Sequence, residues 1–348
     1  MNNHAPAAAT ALLATILALP ACTKNYLYDR DAPESAAVPD EVSLGVLSTE
    51  PWTFDNNGGR IMRTEHFRIY TTERTPQLRE NLADFLELSL HQYRTGLVNL
   101  PAPREKLDVY LMDSRPQWQR LTQQLMGERA ESITLIQRGG FAARGIGVYY
   151  DLGIRDTLAI AAHEGWHQLV QRTFAEPLPI WLDEGMATRN EGFRTRGRSY
   201  QFLPWANTER YDQLRNASNI EGALIPLAEL VQLRPGDLVG GEEQPLLTYY
   251  AQVWAFIHFL NEADNAKYRG ALQAMITDAQ AGRTRDRLVT AFDPIRANAA
   301  LASRTGPDLL AAYTGKSPAD LQPEYDAFIR QITRPGARDR IVAGESPL

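Results

Sequence analysis

The alternation of hydrophobic and polar residues predicts both strands and helices in the first half of the chain. Residues 66–72 and 107–112 alternate with a period of two, which predicts two strands. Residues 76–97 carry apolar side chains three and four positions apart, which predicts an amphipathic helix. A short helix is predicted over residues 117–126, and the glycine-broken stretch at 139–150 predicts a strand or hairpin.

After residue 192 the pattern becomes mainly helical. Residues 193–243 predict a loop-rich insertion, whereas residues 249–260, 263–280 and 317–333 predict helices. No periodicity is visible from residue 335 onward, so the tail is expected to fray. We expect a leader, an attachment segment with a tether, a β-containing lobe, a helical lobe and a tail, over residues 1–21, 22–59, 60–192, 193–333 and 334–348.

Composition and charge exclude some classes of function and leave the predicted architecture unchanged. The chain has 348 residues and a net charge of −6, and its acidic and basic residues are mixed along its length. Because no basic patch stands out, nucleic-acid binding is not expected. Cys22 is the one cysteine, so no internal disulfide is expected. The roughly 325 residues that follow it are enough to bury a large hydrophobic core, and they also permit two lobes.

The leader ends at that cysteine. Residues 5–21 form an uncharged and mostly apolar run. Its apolar core is shorter than the about 20 residues that span a bilayer, but it suits the h-region of a signal peptide. Leu19-Pro20-Ala21-Cys22 resembles a bacterial lipobox, in which the cysteine is lipidated and becomes the mature N-terminus.

Two details leave other readings of the leader open. Pro20 is unusual in a lipobox, and residues 1–10 contain no lysine or arginine. Ordinary signal cleavage after Ala21, or a start codon further upstream, would also account for the segment. We expect an exported bacterial lipoprotein that contacts the membrane only through its anchor, and Thr23 favours the outer membrane or the periplasmic face.

The strongest chemical signal is the segment HEGWH at residues 163–167. On a helix, positions i and i+4 share a face, so His163 and His167 can both direct a ring nitrogen at one metal ion. Glu164 lies roughly 100° further round the helix, where it can reach a water molecule rather than the ion. Asp156 and Thr157 are expected to cap this helix at its N-terminus.

A catalytic zinc ion needs a third protein ligand, and the segment at residues 179–187 offers Glu184. The first helix is expected to run about eight residues past His167, roughly 12 Å, and the second to return about six residues from Pro179, roughly 8 Å. Glu184 is therefore expected near the level of His167 on an antiparallel helix.

These motifs resemble those of the gluzincin metallopeptidases. The segments HEGWH and WLDEGMA, with sixteen residues between His167 and Glu184, match the family's two zinc-binding motifs. The segment YYAQVWAFIHFL at residues 249–260 is similar to a helix of peptidase-MA-like proteins, which include many bacterial envelope lipoproteins. The resemblance covers about residues 60–333, and is strong from about 155 to 260.

The resemblance implies an α+β zincin-like fold with the active site between a β-containing N-terminal lobe and a mainly helical C-terminal lobe. One zinc ion would be held by His163, His167 and Glu184, with Glu164 as the general base. Asp183 stands where many relatives have asparagine, so it is expected either to orient a ligand or to compete for the metal. The chain lacks the GxMEN segment of the gluzincin aminopeptidases, which weakens an exopeptidase function and favours an endopeptidase.

The resemblance places a tyrosine near the metal at the start of the helix over residues 249–260, and a phenol is a neutral donor at pH 7, so Tyr250 is the candidate donor to the developing oxyanion. Tyr249 is the alternative, and both tyrosines could equally form the apolar body of a buried helix. His258 is expected to be either a core histidine with satisfied polar atoms or a histidine that supports a ligand, rather than a ligand itself. Glu176 and Glu191 are expected to be solvated. Gly140-Phe141 is expected to lie either on a strand edge that pairs with an extended substrate or in an ordinary glycine bulge.

Three functions remain open at this point. The first is a zinc endopeptidase that acts on proteins or peptidoglycan-linked peptides in the cell envelope. The second is a catalytically silent zinc-containing envelope lipoprotein that acts as a binding or assembly factor. A third, smaller possibility is zinc-dependent hydrolysis of another carbonyl group.

Overall fold

The computed structural model describes residues 13–16, 39, 42–196, 199–238 and 243–348. Within these ranges the protein is a mixed α+β structure, with a sheet in its N-terminal part and helices in its C-terminal part. Cys22, the leader apart from residues 13–16, and much of the expected tether lie outside the described residues.

The described strands form one main sheet and one separate hairpin. Their bounds are β1 Leu13–Ile16, β2 Ser48–Phe54, β3 Asn57–Arg63, β4 Phe67–Thr71, β5 Leu107–Met112, β6 Gly139–Ala143, β7 Ile146–Tyr150, β8 Phe193–Arg196 and β9 Ser199–Phe202. The main sheet has the order β1-β6-β7-β5-β4-β3-β2, and β8 pairs with β9. The pairs β4–β5 and β5–β7 are parallel, whereas the others are antiparallel.

The helices lie between the strands at first and then follow one another without strands. Their bounds are α1 Pro76–Thr95, α2 Arg115–Met126, α3 Ala130–Thr134, α4 Ile154–Thr173, α5 Ile180–Asn190, α6 Thr208–Ser218, α7 Leu227–Leu230, α8 Pro235–Leu238, α9 Glu243–Ala266, α10 Arg269–Ala281, α11 Thr284–Ala291, α12 Pro294–Ser303, α13 Pro307–Thr314, α14 Pro318–Ile332 and α15 Ala337–Ala343. Among the described residues, no helix is both long and apolar enough to cross a bilayer.

Two hydrophobic clusters lie on opposite faces of the sheet. Alternation along β5 and β7 produces them: Val109 and Tyr149 face α1 and α4, whereas Val148 and Tyr150 face α2. The larger cluster continues from α1 and α4 through α5 and α9 to the C-terminal helices. The central parallel strands are therefore covered on both faces, as parallel strands usually are. The helix α4 is sandwiched between the sheet and α5.

The predictions for β5, α1, α2 and α14 are confirmed to within about two residues at each end. The predicted cap of α4 is wrong, because the helix begins at Ile154 and Gly153 occupies the N-cap position with φ 92°. Asp156 instead lies in the first turn, where a carboxylate is favoured by the helix dipole.

The C-terminal part is more ordered than the sequence indicated. Residues 193–243, expected to be loop-rich, include β8, β9 and α6 to α8. The helix predicted over residues 263–280 begins only at Arg269, because Asp264 and Asn265 adopt left-handed backbone conformations. The tail does not fray: α15 forms, and the Ser346 hydroxyl donates to Glu262 at 2.9 Å.

Candidate metal centre

His163 and His167 both lie on α4, and a close contact with α1 fixes the position of this helix. A Cβ atom at Gly165 would lie 2.6 Å from the hydroxyl oxygen of Tyr93, so only glycine fits there. That hydroxyl donates to the Ala162 carbonyl at 2.7 Å. Trp166, fully buried beside Gly165, packs edge-on against Tyr93. The residues between the two histidines therefore hold α4 against α1 while the histidines face the other way.

The helix α5 carries Glu184 and is held equally closely on its other side. A Cβ atom at Gly185 would lie 2.6 Å from Ile257 Cγ1 and 2.9 Å from the Val253 carbonyl oxygen, both on α9. Every residue of α5 is buried. α4 ends at Thr173, about two residues earlier than the sequence count expected, and α5 returns beside it.

The donor atoms of His163, His167 and Glu184 converge. Glu184 Oε2 lies 3.2 Å from His163 Nε2 and 3.6 Å from His167 Nε2. One atom from each residue lies within 4.8 Å of the other two, and all three residues are buried. Tetrahedral coordination with bonds of about 2.0–2.1 Å separates ligand atoms by roughly 3.3 Å, close to these distances. The cluster could therefore bind a metal ion.

Each histidine also uses its other ring nitrogen. His163 Nδ1 lies 2.7 Å from Glu191, which accepts hydrogen bonds from Arg210 Nε at 3.0 Å, Arg210 Nη2 at 3.1 Å and Asn207 Nδ2 at 2.9 Å. The expectation that Glu191 is solvated is wrong, since Glu191 is only 8% exposed. The helix α6, which follows the β8–β9 hairpin, covers Glu191 through Arg210.

The second histidine has a matching arrangement. His167 Nδ1 lies 3.0 Å from Asp183, which also accepts from Trp166 Nε1 at 3.0 Å and from Arg304 Nη2 at 2.7 Å. Of the two roles expected for Asp183, this contact matches the orienting one. A carboxylate on Nδ1 holds the proton there and directs Nε2 to a metal ion.

The protonation tendencies follow from these contacts. Burial acts to raise the pKa of Glu191, but Arg210 and His163 outweigh it and lower the pKa to about 2. Burial likewise opposes ionisation of Glu184, yet the adjacent imidazoles of His163 and His167 lower its pKa. The pKa of Asp183 is also lowered, by His167 and Arg304 against the effect of burial. The site therefore gathers carboxylates that are held ionised.

Two buried atoms without hydrogen-bond partners in the described part of the chain show whether a metal ion fits the cluster. His167 Nε2 and Glu184 Oε1 are buried and have no hydrogen-bond partner among the described residues. A buried polar atom without a partner costs about 1–3 kcal/mol. A divalent cation at the cluster would satisfy both atoms, so the residues fit a metal ion.

Glu164 and Tyr250 lie beside the cluster. Glu164 follows His163 on α4 and is fully buried. The Tyr250 ring lies 6.1 Å from the His163 ring, and the Arg210 guanidinium lies 5.1 Å from the Tyr250 ring centroid. The Tyr249 and Tyr250 hydroxyl oxygens have no hydrogen-bond partner among the described residues. Burial, and secondarily the charge of Glu184, raises the pKa of both tyrosines well above 10, so both are neutral donors.

Sequence reasoning missed three residues at this site: Tyr149, Arg210 and Arg304. Tyr149 lies on the face of β7 that packs on α4, and its hydroxyl is buried without a partner in the described part of the chain. The period-two alternation of β7 could have indicated it. No local pattern indicates the two arginines, because they meet their carboxylates across 19 and 121 residues.

The strand β6 lies beside β7 near one end of the main sheet. Gly140 pairs with Thr15 and Phe141 with Ala14 of β1, in a regular antiparallel register. A Cβ atom at Gly140 would lie 2.9 Å from Tyr149 Cβ, so tight packing rather than a bulge requires this glycine. Substrate pairing at β6 stays a prediction, and residues of the expected leader occupy that position here.

No family model and no curated protein matches this chain. The proposed function therefore rests on the sequence motifs and on the geometry of the cluster.

Proposed function

We propose that this chain is a zinc-dependent endopeptidase of the gluzincin type with a zincin-like fold, acting on proteins or peptides in the bacterial cell envelope. The observation that carries the proposal is the convergence of His163, His167 and Glu184 from two neighbouring helices onto one point. Glu164 follows the first ligand on α4, in the position of the general base of this motif. A structural metal site needs no such carboxylate.

The donor set favours zinc. Two imidazole nitrogens and one carboxylate oxygen form a common catalytic zinc set with one position left for water or substrate. Zinc held by His163, His167 and Glu184 would supply a Lewis acid that lowers the pKa of a water molecule toward about 7 and polarises a carbonyl group.

The protein's own residues would then divide the proton transfers. The Glu164 carboxylate takes a proton from the attacking water and returns it to the leaving amine nitrogen. The Tyr250 hydroxyl donates to the carbonyl oxygen as negative charge develops there, with Tyr249 as the alternative donor. Asp183 and Glu191 hold the two imidazoles in orientation through their Nδ1 atoms.

The envelope location rests on the sequence alone. The apolar run at residues 5–21 and the lipobox-like segment ending at Cys22 support an exported lipoprotein whose anchor is its contact with the membrane. An enzyme on such an anchor would meet envelope proteins or peptidoglycan-linked peptides.

One observation favours a second candidate, a silent zinc-containing lipoprotein that acts as a binding or assembly factor. Glu164 and Tyr250 are both fully buried in this structure. A substrate reaches them only if covering segments move, whereas a purely structural metal site needs no access.

The test compares metal content with turnover in the full chain. Wild-type protein is expected to bind one zinc ion per chain, and His163→Ala to lose it. Glu164→Gln is expected to keep the zinc ion and the fold, measured by metal analysis and circular dichroism, but to lose cleavage of a proteome-derived peptide pool. Wild-type protein without zinc would refute the metal centre. Zinc-loaded wild-type protein with no cleavage beyond that of Glu164→Gln would favour the second candidate.

A further inference from the structure

Arg304 occupies an unusual place in the C-terminal helices. It follows the last residue of α12 and adopts φ 53°, the left-handed conformation that glycine favours at a helix C-terminus. A residue with a large side chain is disfavoured there on local grounds alone. The presence of an arginine at this position therefore needs an explanation other than the ending of α12.

Those contacts all fall on the segment that begins α5. Arg304 Nε donates to the Leu178 carbonyl at 2.9 Å, and Nη2 donates to Asp183 Oδ2 at 2.7 Å. The Arg304 carbonyl accepts from the Ile180 N–H at 3.0 Å. One residue of the C-terminal region thus holds both the start of α5 and the carboxylate that faces His167.

We propose that Arg304 is a positioning residue for the metal centre, which acts on His167 through Asp183 and makes metal retention depend on the C-terminal helices. The inference rests on the proposed function, because it assumes that the cluster of His163, His167 and Glu184 holds zinc. It adds a residue that neither the motifs nor the ligand set indicates.

The two histidine supports differ in a way that singles out Arg304. On Glu191, two guanidinium nitrogens of the fully buried Arg210 and the amide of Asn207 all donate. On Asp183, Arg304 is the one guanidinium partner among the described residues, and it donates through a single nitrogen. Loss of Arg304 leaves a buried carboxylate with only Trp166 and His167 as its partners.

The physical consequence concerns orientation. Asp183 has one oxygen on Arg304 and the other on Trp166 and His167, so its rotation is restrained from both sides. Without Arg304 the carboxylate can turn, and the His167 ring is no longer fixed with Nε2 toward the cluster. Loss of such an outer partner costs roughly 10–100-fold in metal affinity.

The test measures zinc affinity by competition with a chelator, together with the thermal stability of the metal-free protein. Arg304→Gln removes the cation. Arg304→Gly removes the side chain and at the same time relieves the left-handed backbone, so a role confined to ending α12 predicts no loss with this variant. Both are expected to bind zinc 10–100-fold more weakly. Arg304→Lys, which keeps a cation, is expected to fall between them and wild type.

A matched control lies on the same helix. Arg296 of α12 makes two hydrogen bonds to Asp308 at 2.8 and 2.6 Å, on the exposed surface. Arg296→Gln therefore removes a comparable ion pair away from the cluster, and it is expected to leave zinc affinity unchanged.

A double-mutant cycle with Asp183→Asn separates positioning from general structural support. If Arg304 acts through Asp183, Arg304→Gln adds little to the loss already caused by Asp183→Asn. Arg304 variants that bind zinc as tightly as wild type, or losses that add fully to that of Asp183→Asn, would overturn the inference while leaving the proposed function intact. Wild-type protein that binds no zinc would instead overturn the proposed function itself.

Discussion

Among the described residues, the histidine–carboxylate cluster around His163 has the geometry of a metal site, whereas a second cluster on a helix, around His258, does not. At the metal centre, His163, His167 and Glu184 direct donor atoms at one point, and carboxylates support both histidines from outside. At the second cluster, His258 stacks on Trp205 with ring centroids 3.7 Å apart, and its Nδ1 lies 3.2 Å from Glu262. The expectation that His258 lies in the core is confirmed, although its Nε2 has no hydrogen-bond partner among the described residues.

The difference lies in what each carboxylate does. Glu262 accepts hydrogen bonds from Trp205 Nε1 at 3.0 Å and from the Ser346 hydroxyl at 2.9 Å, so its oxygens are used within the protein. Glu184 leaves one buried oxygen without a partner among the described residues. A buried histidine beside a carboxylate is therefore not by itself a sign of metal binding. Three donor atoms that all lie within 4.8 Å of one another are the more specific sign.

The largest change in zinc binding should come from removing Glu184. The matching variant at the second cluster removes His258. Glu184→Ala is expected to weaken zinc binding by more than the roughly 100-fold that loss of an outer partner causes. His258→Ala is expected to lower thermal stability and leave zinc stoichiometry unchanged. Metal analysis and thermal denaturation of both variants test the contrast. Zinc loss in His258→Ala with an intact fold would show that the two clusters are not separate.

A second prediction uses the acid dependence of the His258 cluster. Burial acts to raise the pKa of Glu262, but hydrogen bonds from His258, Ser346 and Trp205 outweigh it and lower the pKa to about 2. Because the folded-state pKa is depressed, this stabilisation is complete above the unfolded pKa near 4.5 and disappears as pH falls from there toward about 2.

Glu262→Gln should therefore be less stable than wild type at pH 6, and the difference should shrink progressively below about pH 4.5. Urea denaturation of both proteins across this range measures the difference in free energy of unfolding. A difference that is constant with pH would show that the Glu262 charge is not stabilised by the fold.

The smallest effect should come from the C-terminal tail. Ser346→Ala removes one hydrogen bond to Glu262 and is expected to cost about 1 kcal/mol in the free energy of unfolding, without changing zinc binding. Ser132→Ala is a suitable control, because the Ser132 hydroxyl bonds only locally, to the Arg129 carbonyl. Equal stability of Ser346→Ala and wild type would argue that the tail does not dock in solution.

The hydrophobic pattern predicted the bounds of an element well where those bounds depend on the element's own residues. The strand β5 has the predicted bounds, and α1 starts at the predicted Pro76, because alternation and helical spacing report directly on the buried face. The pattern failed at the cap of α4 and in the tail. Gly153 adopts a left-handed backbone conformation that no local pattern indicated. The helix α15 is stabilised by contacts with distant residues such as Asp212, which accepts hydrogen bonds from Arg338.

Some features of the candidate site could likewise be predicted from local sequence, and others could not. The spacing of His163, Glu164 and His167 on one helix, and the return of Glu184 on the next, follow from helix geometry and could be counted from the chain. The environment of Glu191 could not, since its burial depends on α6 folding back over the end of α5.

The amino-acid sequence by itself determined which side chains can act as ligands and how far apart they stand along their helices, because those properties depend only on residue type and helical periodicity. The tertiary structure alone decided which carboxylate supports each histidine and which arginine balances it. Such pairings join residues as far apart as Asp183 and Arg304, and only the packing of the C-terminal helices against α5 brings them within hydrogen-bond distance.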